Sequence, residues 1–184
     1  MGHTPLTRIG IAQAEAMGVA LAALIDPAQP LDLWSSPSGR TLQTAGIVAE
    51  HLGRDYFDIR TDPRLLEIDV GEWQGRRYAD IVAGQGEILD RQRRLFTVTA
   101  PGGETYVEIA ARLGEWVAGL DPNRDLLVIS HGQTLRVLCG LLAGGERFRD
   151  TVVARDAPQG TIFMIEDGQQ HVLHDGQGQR PTAA

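Results

Sequence analysis

The sequence predicts an α/β fold, a three-layer α/β/α sandwich with a mostly parallel sheet. Segments typical of strands alternate along the chain with segments of helical periodicity. Residues 126–129 (LLVI) form a continuous apolar run, which is typical of a strand buried on both faces. The length of 184 residues fits one domain, predicted over residues 1–174. The Gly- and Gln-rich residues 175–184 are expected to form a flexible C-terminal tail.

The first half of the chain supplies two predicted helices and two short strands. Thr7 is expected to cap a helix, and its apolar face is predicted to comprise Ile9, Ala12, Ala16, Val19 and Leu24. A strand at 31–34 leads through a turn at 35–38 into a second helix, which ends at Gly53. The inner face of that helix is predicted to be Ala45, Val48, Ala49 and Leu52. Residues 56–59 are predicted as another short strand.

The second half begins with an irregular stretch at 63–75 and a mixed, mainly helical segment at 78–95. A break at 101–103 precedes an amphipathic helix with apolar positions Ile109, Leu113, Trp116, Val117 and Leu120. The strand at 126–129 follows, and helical spacing then resumes at Leu135, Leu138 and Leu142. Finally, Asp167 and Gly168 are expected to form the turn of a hairpin between 161–165 and 171–173.

Composition limits the kinds of partner. The net charge of −7 argues against a broad basic face for nucleic acid, although a few arginines suffice to hold one phosphate. All 17 positively charged residues are arginine.

The one cysteine, Cys139, excludes a disulfide within the chain and a cysteine-based zinc site, and fits a reduced, cytoplasmic location. No apolar run is long enough for a membrane span, and no signal peptide is visible.

Ligands of parallel α/β sheets bind outside the carboxyl ends of the strands. This rule selects the turns after Trp34 and Ile129, and His131 lies in the second of them, between a strand and a helix start that favours anions. An ordinary half-buried histidine is an equally good interpretation of this residue alone.

Arg40 and Glu67 are two further candidates. Arg40 lies in the first turn of a helix, where the helix dipole disfavours a cation unless an anion binds there. Glu67 lies among apolar side chains, and a desolvated carboxyl keeps its proton more readily, as a general acid must. Taken separately, a solvated arginine and a loop glutamate pointing at water remain open alternatives.

Five short segments, in order, resemble the motifs of the histidine phosphatase superfamily, the phosphoglycerate mutase-like enzymes. Residues 5–14 (PLTRIGIAQA) are similar to P-L-T-x-x-G-x-x-Q-A, and residues 36–45 (SPSGRTLQTA) to S-P-x-x-R-x-x-x-T-A. Residues 65–75 (LLEIDVGEWQG) resemble L-x-E followed by G-x-W-x-G. Residues 101–105 (PGGET) resemble P-G-G-E-S, and residues 130–132 (SHG) match the second histidine motif. The resemblance implies a phosphoglycerate mutase-like fold.

The resemblance also implies roles. Arg40 would clamp phosphate oxygens, Glu67 would protonate the leaving group, and His131 would stabilise the transferring phosphoryl group. Gly132 and Gln133 would offer backbone N–H groups to the substrate, and Glu104 would belong to the rim of the pocket. The implied chemistry requires no metal and no organic cofactor.

One departure from the family pattern concerns the nucleophile. The family opens with a central strand ending in R-H-G, whose histidine attacks phosphorus, whereas this sequence opens with Met1-Gly2-His3-Thr4. His3 lies too close to residues 5–14 to be that histidine. The first central strand and the nucleophile are therefore expected to be missing. Three explanations are open: a longer protein of which this sequence is a truncated part, which the undamaged Arg40, Glu67 and His131 favour; a naturally shortened, inactive relative; or a strand supplied by another segment or a second chain.

Three functions remain open on this basis. The first is a phosphomonoesterase acting on a small phosphorylated metabolite, which the short stretch between Gly75 and Pro101 favours. The second is a phosphoglycerate mutase-type isomerase. The third is a non-catalytic relative that binds a phospho-ligand or a protein. The sequence does not specify the substrate or the oligomeric state.

Overall fold

The computed structural model describes residues 4–148 and 151–176, and the fold is described for these residues. The five α-helices of this part are α1 (Arg8–Ala22), α2 (Gly39–His51), α3 (Tyr78–Gln85), α4 (Tyr106–Ala118) and α5 (Gly132–Ala143). The strands are β1 (Leu31–Ser35), β2 (Arg60–Thr61), β3 (Leu89–Asp90), β4 (Leu95–Phe96), β5 (Asp125–Ile129), β6 (Glu146–Phe148), β7 (Thr151–Val153), β8 (Ile162–Glu166) and β9 (Gln169–His174).

The central sheet has the strand order β2-β1-β5, and both pairings are parallel. Its side chains alternate between two helical layers, as strand geometry requires. Trp34 and Val128 pack into a core formed with α4 and α5, whereas Leu127 and Ile129 pack on the opposite side against α1 and α2. The predicted three-layer α/β/α sandwich with a parallel sheet is thereby confirmed.

Strand β5 is less enclosed than its sequence predicts. The prediction that residues 126–129 are buried on both faces is wrong, because all four are only partly buried. Within the described residues, β5 pairs with β1 along one edge, and no strand lies along the other. Hairpin β8–β9 forms a separate two-stranded sheet.

Helix α1 begins where predicted but buries a different face. The side chain of Thr7 accepts a hydrogen bond from the Gly10 N–H at 3.1 Å, which confirms the cap. All five apolar residues predicted to face the core are exposed, with Ile9 at 68% and Val19 at 60%. The buried residues of the helix are Ala14, Gly18 and Leu21. Small residues thus let α1 approach α2 closely, with the ring of His51 lying over Gly18.

Two other segments differ from expectation. Residues 56–59 are not a strand: Tyr56–Asp58 is a 3-10 helix capped by Asp55, and β2 begins only at Arg60. The helical segment predicted at 78–95 ends at Gln85, because Gly86 has a φ of 81° that reverses the chain. The remainder of that segment forms hairpin β3–β4.

The other predicted elements are present. The predicted inner face of α2 is fully buried, from Ala45 at 0% to Leu52 at 5% exposure. The hairpin β8–β9 turns at Asp167 and Gly168, whose φ values of 50° and 71° suit a tight hairpin turn. Hairpin β6–β7 was not predicted. No helix within residues 4–148 and 151–176 is long and apolar enough to cross a membrane.

The chain ends are only partly described. The N–H of Gly176 donates to the hydroxyl of Thr161 at 3.2 Å, so the first residues of the predicted tail contact the domain. The rest of that tail, residues 177–184, and the segment containing His3 lie outside the described residues. The single-domain boundary therefore stays a prediction.

Candidate active site

The candidate site forms where β1 and β5 end side by side. Ser35 pairs with Ile129, and the next residue, Ser36, donates its N–H to the Ile129 carbonyl at 2.9 Å. This register places the turn before α2 against the turn before α5. Ser36 and His131 consequently meet at the carboxyl edge of the sheet. This is the edge at which the sequence predicted ligand binding.

His131 is held by both ring nitrogens. Its Nδ1 lies 2.8 Å from Nη2 of Arg40, and its Nε2 lies 2.8 Å from Oγ of Ser36. A guanidinium can only donate, so Nδ1 is the acceptor of the Arg40 bond. The neutral ring then carries its proton on Nε2 and donates to Ser36.

The electrostatic surroundings keep His131 neutral. The ring is 5% exposed. Burial, followed by the positive charges of Arg40 and Arg112, lowers the pKa of His131 from 6.5 to about 4. Two cations near one neutral ring also mean that the local potential is positive, as an anionic ligand requires.

The carboxylate of Glu67 occupies the first turn of α5. Its Oε1 accepts the Thr134 N–H at 3.1 Å, and its Oε2 accepts the Gln133 N–H at 3.3 Å. Gly132 lies beside this carboxylate, since a Cβ there would be 3.9 Å from Oε2. Because Glu67 already uses the Gln133 N–H, the predicted donation from Gly132 and Gln133 to a substrate stays a prediction.

The loop that carries Glu67 is fixed from both sides of α5's start. The Ser130 hydroxyl donates to the Leu65 carbonyl at 2.6 Å, and the Thr134 hydroxyl donates to the Leu66 carbonyl at 2.6 Å. Thr134 is completely buried. These bonds set the position of Glu67 relative to His131.

Arg112 on α4 ties Glu104 to the same loop. Its Nε donates to Oε1 of Glu104 at 2.6 Å and its Nη2 to Oε2 at 3.0 Å, a bidentate pair. The guanidinium also donates to the carbonyls of Arg64 and Leu66, the latter at 2.9 Å. Both side chains are less than a fifth exposed, so Arg112 is a buried link between the rim and the Glu67 loop.

An open cleft of about 690 Å³ extends from this group of residues. Its lining includes Glu67 and Arg112 and also Pro37 and Ser38, which lie in the turn before α2. In the described part of the chain, no group of three or more His, Cys, Asp or Glu side chains is arranged to hold a metal ion.

The structure therefore brings the three predicted catalytic positions to one edge of the sheet. Arg40 contacts His131 directly, Glu67 binds the helix that follows His131, and Glu104 reaches the group through Arg112. Ser36 is the first residue of the motif at 36–45, but nothing in the sequence indicated its contact with His131. Arg112 had no sequence signal, because its carbonyl partners lie 48 and 46 positions away along the chain.

Comparison with known proteins identifies the same family. Residues 1–174 match the histidine phosphatase superfamily (branch 1). Over 150 residues, the chain is 31% identical to glucosyl-3-phosphoglycerate phosphatase of Mycobacterium tuberculosis, covering 76% of this chain and 64% of that protein. It is 32% identical over 146 residues to the 2,3-bisphosphoglycerate-dependent phosphoglycerate mutase of Methylobacterium sp., covering 76% and 69%.

A solved structure agrees with these sequence matches. The mycobacterial glucosyl-3-phosphoglycerate phosphatase in complex with inorganic phosphate superposes with a TM-score of 0.61 at 30% identity. The match covers 78% of this chain and 71% of that one. The chain spans about 64% of the length of the mycobacterial relative named above. On its motifs, its fold and its match over residues 1–174, the chain belongs to the histidine phosphatase superfamily.

Proposed function

We propose that this protein is a phosphomonoesterase of the histidine phosphatase type that acts on a small phosphorylated metabolite. The observation that carries the proposal is the guanidinium of Arg40, which lies against His131 at the carboxyl ends of β1 and β5. Within the described residues, Arg40 forms no ion pair with a carboxylate. Most of its N–H fork is therefore available for phosphate oxygens, which its geometry suits.

The surroundings of Arg40 support an anion more than any other ligand. Arg40 and Arg112 both lower the pKa of His131, so the field at this point is positive although the chain carries a net charge of −7. His131 is neutral and turns its Nδ1 lone pair to the guanidinium, so it does not cancel the positive charge of Arg40. A solved relative of the same family contains inorganic phosphate.

Glu67 is proposed as the proton donor to the leaving alcohol, as the family resemblance implies. It lines the cleft, and its loop is held by hydrogen bonds from Ser130, Thr134 and Arg112. A positioned carboxyl group contributes to catalysis only when its geometry is fixed, and this network fixes it.

The attacking group is not His131 in this arrangement. Its Nδ1 lone pair accepts from Arg40 and its Nε2 carries a proton, so neither nitrogen is free to form a bond with phosphorus. We expect these residues to bind the phosphoryl group firmly. We also expect low or no turnover by the chain unless another group supplies the attack.

Two alternatives have support. A phosphoglycerate mutase-type isomerase fits the named relatives, but residues 76–100 hold only the eight residues of α3 and a short hairpin, which favours a phosphatase with an open cleft. A non-catalytic phospho-ligand or protein-binding relative is favoured by the engaged nitrogens of His131. Binding and turnover must therefore be measured separately.

The test combines p-nitrophenyl phosphate hydrolysis with calorimetric binding of inorganic phosphate, for the unaltered chain and for His131→Ala and Arg40→Ala. His171→Ala, on β9 and away from the site, is the matched control. We expect phosphate binding to fall at least tenfold in both site variants and to persist in the control. Unchanged binding in both site variants would overturn the assignment of the site. Binding without turnover would support the non-catalytic alternative.

A further inference from the structure

The cleft beside Glu67 has a charge that selects among phosphate esters. We propose that it accepts monoesters whose alcohol part carries no negative charge, neutral polyhydroxy alcohols and amino alcohols, and disfavours those that carry a carboxylate or a second phosphate. This inference rests on the proposed function and adds the substrate class. The proposed substrates differ from the phosphoglycerate esters that appear in the names of the chain's relatives.

The first argument is the balance of charges. Glu67, the proposed proton donor, lines the cleft of about 690 Å³, so we expect the alcohol part of the ester to lie in it. Four carboxyl-bearing residues line it, and Arg112 is the one basic residue among the described lining residues. The four are Glu67, Asp69, Glu104 and Glu108. Hydrogen bonds from the backbone and side chain of Thr105 lower the pKa of Glu108, so it is charged at neutral pH.

The second argument is that Arg112 is already committed. Its Nε and Nη2 hold both oxygens of Glu104, and its Nη1 and Nη2 donate to the carbonyls of Arg64 and Leu66. A carboxylate on the substrate would have to break this bidentate pair to gain a partner. The carboxylates of the cleft would therefore repel an anionic alcohol group, and the described part of the cleft has no unpaired cation to bind it.

The third argument is a buried hydroxyl that lacks a partner. Ser38 lines the cleft, is 6% exposed, and its Oγ has no hydrogen-bond partner among the described residues. It caps α2 by position but makes no side-chain capping bond. A buried, unpaired hydroxyl costs free energy unless a ligand satisfies it. A hydroxyl or ammonium group on the substrate would do so without adding negative charge.

A matched pair of esters tests the proposal. Glycerol 3-phosphate and 3-phosphoglycerate differ at the group that is a hydroxymethyl in one and a carboxylate in the other, and phosphoethanolamine adds a cationic member. Binding of each to the full chain is measured by calorimetry near neutral pH, which requires no turnover. We expect glycerol 3-phosphate and phosphoethanolamine to bind about tenfold more tightly than 3-phosphoglycerate, the cumulative effect of several exposed charges. The preference should shrink as salt is raised.

Two double variants distinguish the effect of the charges in the cleft from the effect of the overall charge. Asp69→Asn with Glu108→Gln removes two cleft charges, while Asn still accepts the Gly71 N–H and Gln still completes the cap at Thr105. Glu50→Gln with Glu166→Gln removes the same charge outside the cleft lining. We expect discrimination against 3-phosphoglycerate to fall several-fold in the first variant and to persist in the second.

The outcomes distinguish the two levels of the argument. Equal binding of the two glycerol-based esters, or tighter binding of 3-phosphoglycerate, would overturn the proposed selectivity while leaving the phosphate site intact. An equal effect of both double variants would also overturn it, because overall charge would then be the cause. If no ester binds and inorganic phosphate does not bind either, the proposed function fails and this inference fails with it.

Discussion

The guanidinium of Arg40 donates to Nδ1 of His131 across 2.8 Å, and this contact determines which ring nitrogen carries the proton. Because a guanidinium can only donate, Nδ1 of the histidine must accept with its lone pair. The proton of the neutral ring therefore lies on Nε2, which acts as the donor. The ring is thereby fixed in one tautomer by a residue that lies 91 positions earlier in the chain.

Ser36→Ala removes the acceptor of the Nε2–H bond and leaves a buried donor unpaired. We expect the free energy of unfolding to fall by about 1–3 kcal/mol, measured by urea denaturation. Ser35→Ala is the control, because Ser35 is equally buried and hydrogen-bonded but contacts the Ser36 carbonyl instead. The ¹⁵N shifts of the His131 ring should change in the first variant only. A change in both would contradict the assigned contact.

Stability should depend on pH through His131. Burial, with Arg40 and Arg112, lowers its pKa to about 4 from 6.5, so the folded state binds a proton less readily than the unfolded state. The free energy of unfolding should therefore decrease as pH falls from about 6.5 to about 4, by about 3 kcal/mol from this group.

Urea denaturation of the unaltered chain and of His131→Gln across this pH range measures the effect. The variant lacks the titrating ring, so its stability should fall less steeply with acid. Parallel pH profiles for the two proteins would show that His131 titrates normally in the folded state.

Glu67→Gln should affect poor leaving groups more than good ones, if the chain turns over phosphate esters. An alkoxide needs a proton as it leaves, whereas p-nitrophenolate does not, and general acid catalysis contributes roughly 10²–10⁴-fold. We expect kcat for an alkyl phosphate to fall by about that factor and kcat for p-nitrophenyl phosphate to change little. Glu72→Gln, at an exposed position in the 3-10 helix Gly71–Trp73, is the control. Equal losses for both substrates would assign Glu67 a binding role instead.

Arg112→Lys should release the Glu67 loop, because an ammonium cannot hold Glu104 in two places and also reach two carbonyls. A double-mutant cycle with Glu104→Gln should give a coupling of about 1–3 kcal/mol, since both side chains are largely buried. The exposed pair Arg91–Glu87 provides a matched cycle, which is expected to give a much smaller coupling because both side chains are solvated. Similar couplings for the two pairs would mean that Arg112 does not anchor the loop.

The ends of β1 and β5 and the buried face of α2 were predictable from sequence, whereas the buried face of α1 and the enclosure of β5 were not. Apolar runs bounded by turns located β1 and β5, and Arg40 and His131 were predicted in the segments that follow them. Glu67 was identified only by its motif, in a stretch without regular structure. The prediction for α1 failed because an alanine-rich helix offers several faces with similar periodicity, and its contact with α2 depends on the small residues Ala14 and Gly18. Apolarity alone cannot distinguish such a face from a larger, exposed one.

The roles of Arg112 and Ser36 were beyond prediction for a different reason. Arg112 acts by donating to carbonyls 46 and 48 positions away, and backbone carbonyls leave no signature in the sequence. The enclosure of β5 was overestimated because an apolar run records the character of its side chains but not the number of neighbouring strands.

Gly140 is the position where α5 approaches β7 most closely. A Cβ there would meet the Val152 carbonyl and lie 2.9 Å from Cα of Val153, both backbone groups that cannot rotate away. Gly140→Ala should therefore lower the free energy of unfolding by about 1–3 kcal/mol, as overpacking does. Gly114→Ala, in α4 with open space around it, should raise it by about 0.5–1 kcal/mol through helix propensity. Urea denaturation of both variants tests whether the two substitutions change the free energy of unfolding in opposite directions. If Gly140→Ala is also stabilising, α5 does not pack on β7 at this distance, and the start of α5 that carries His131 loses one of its supports.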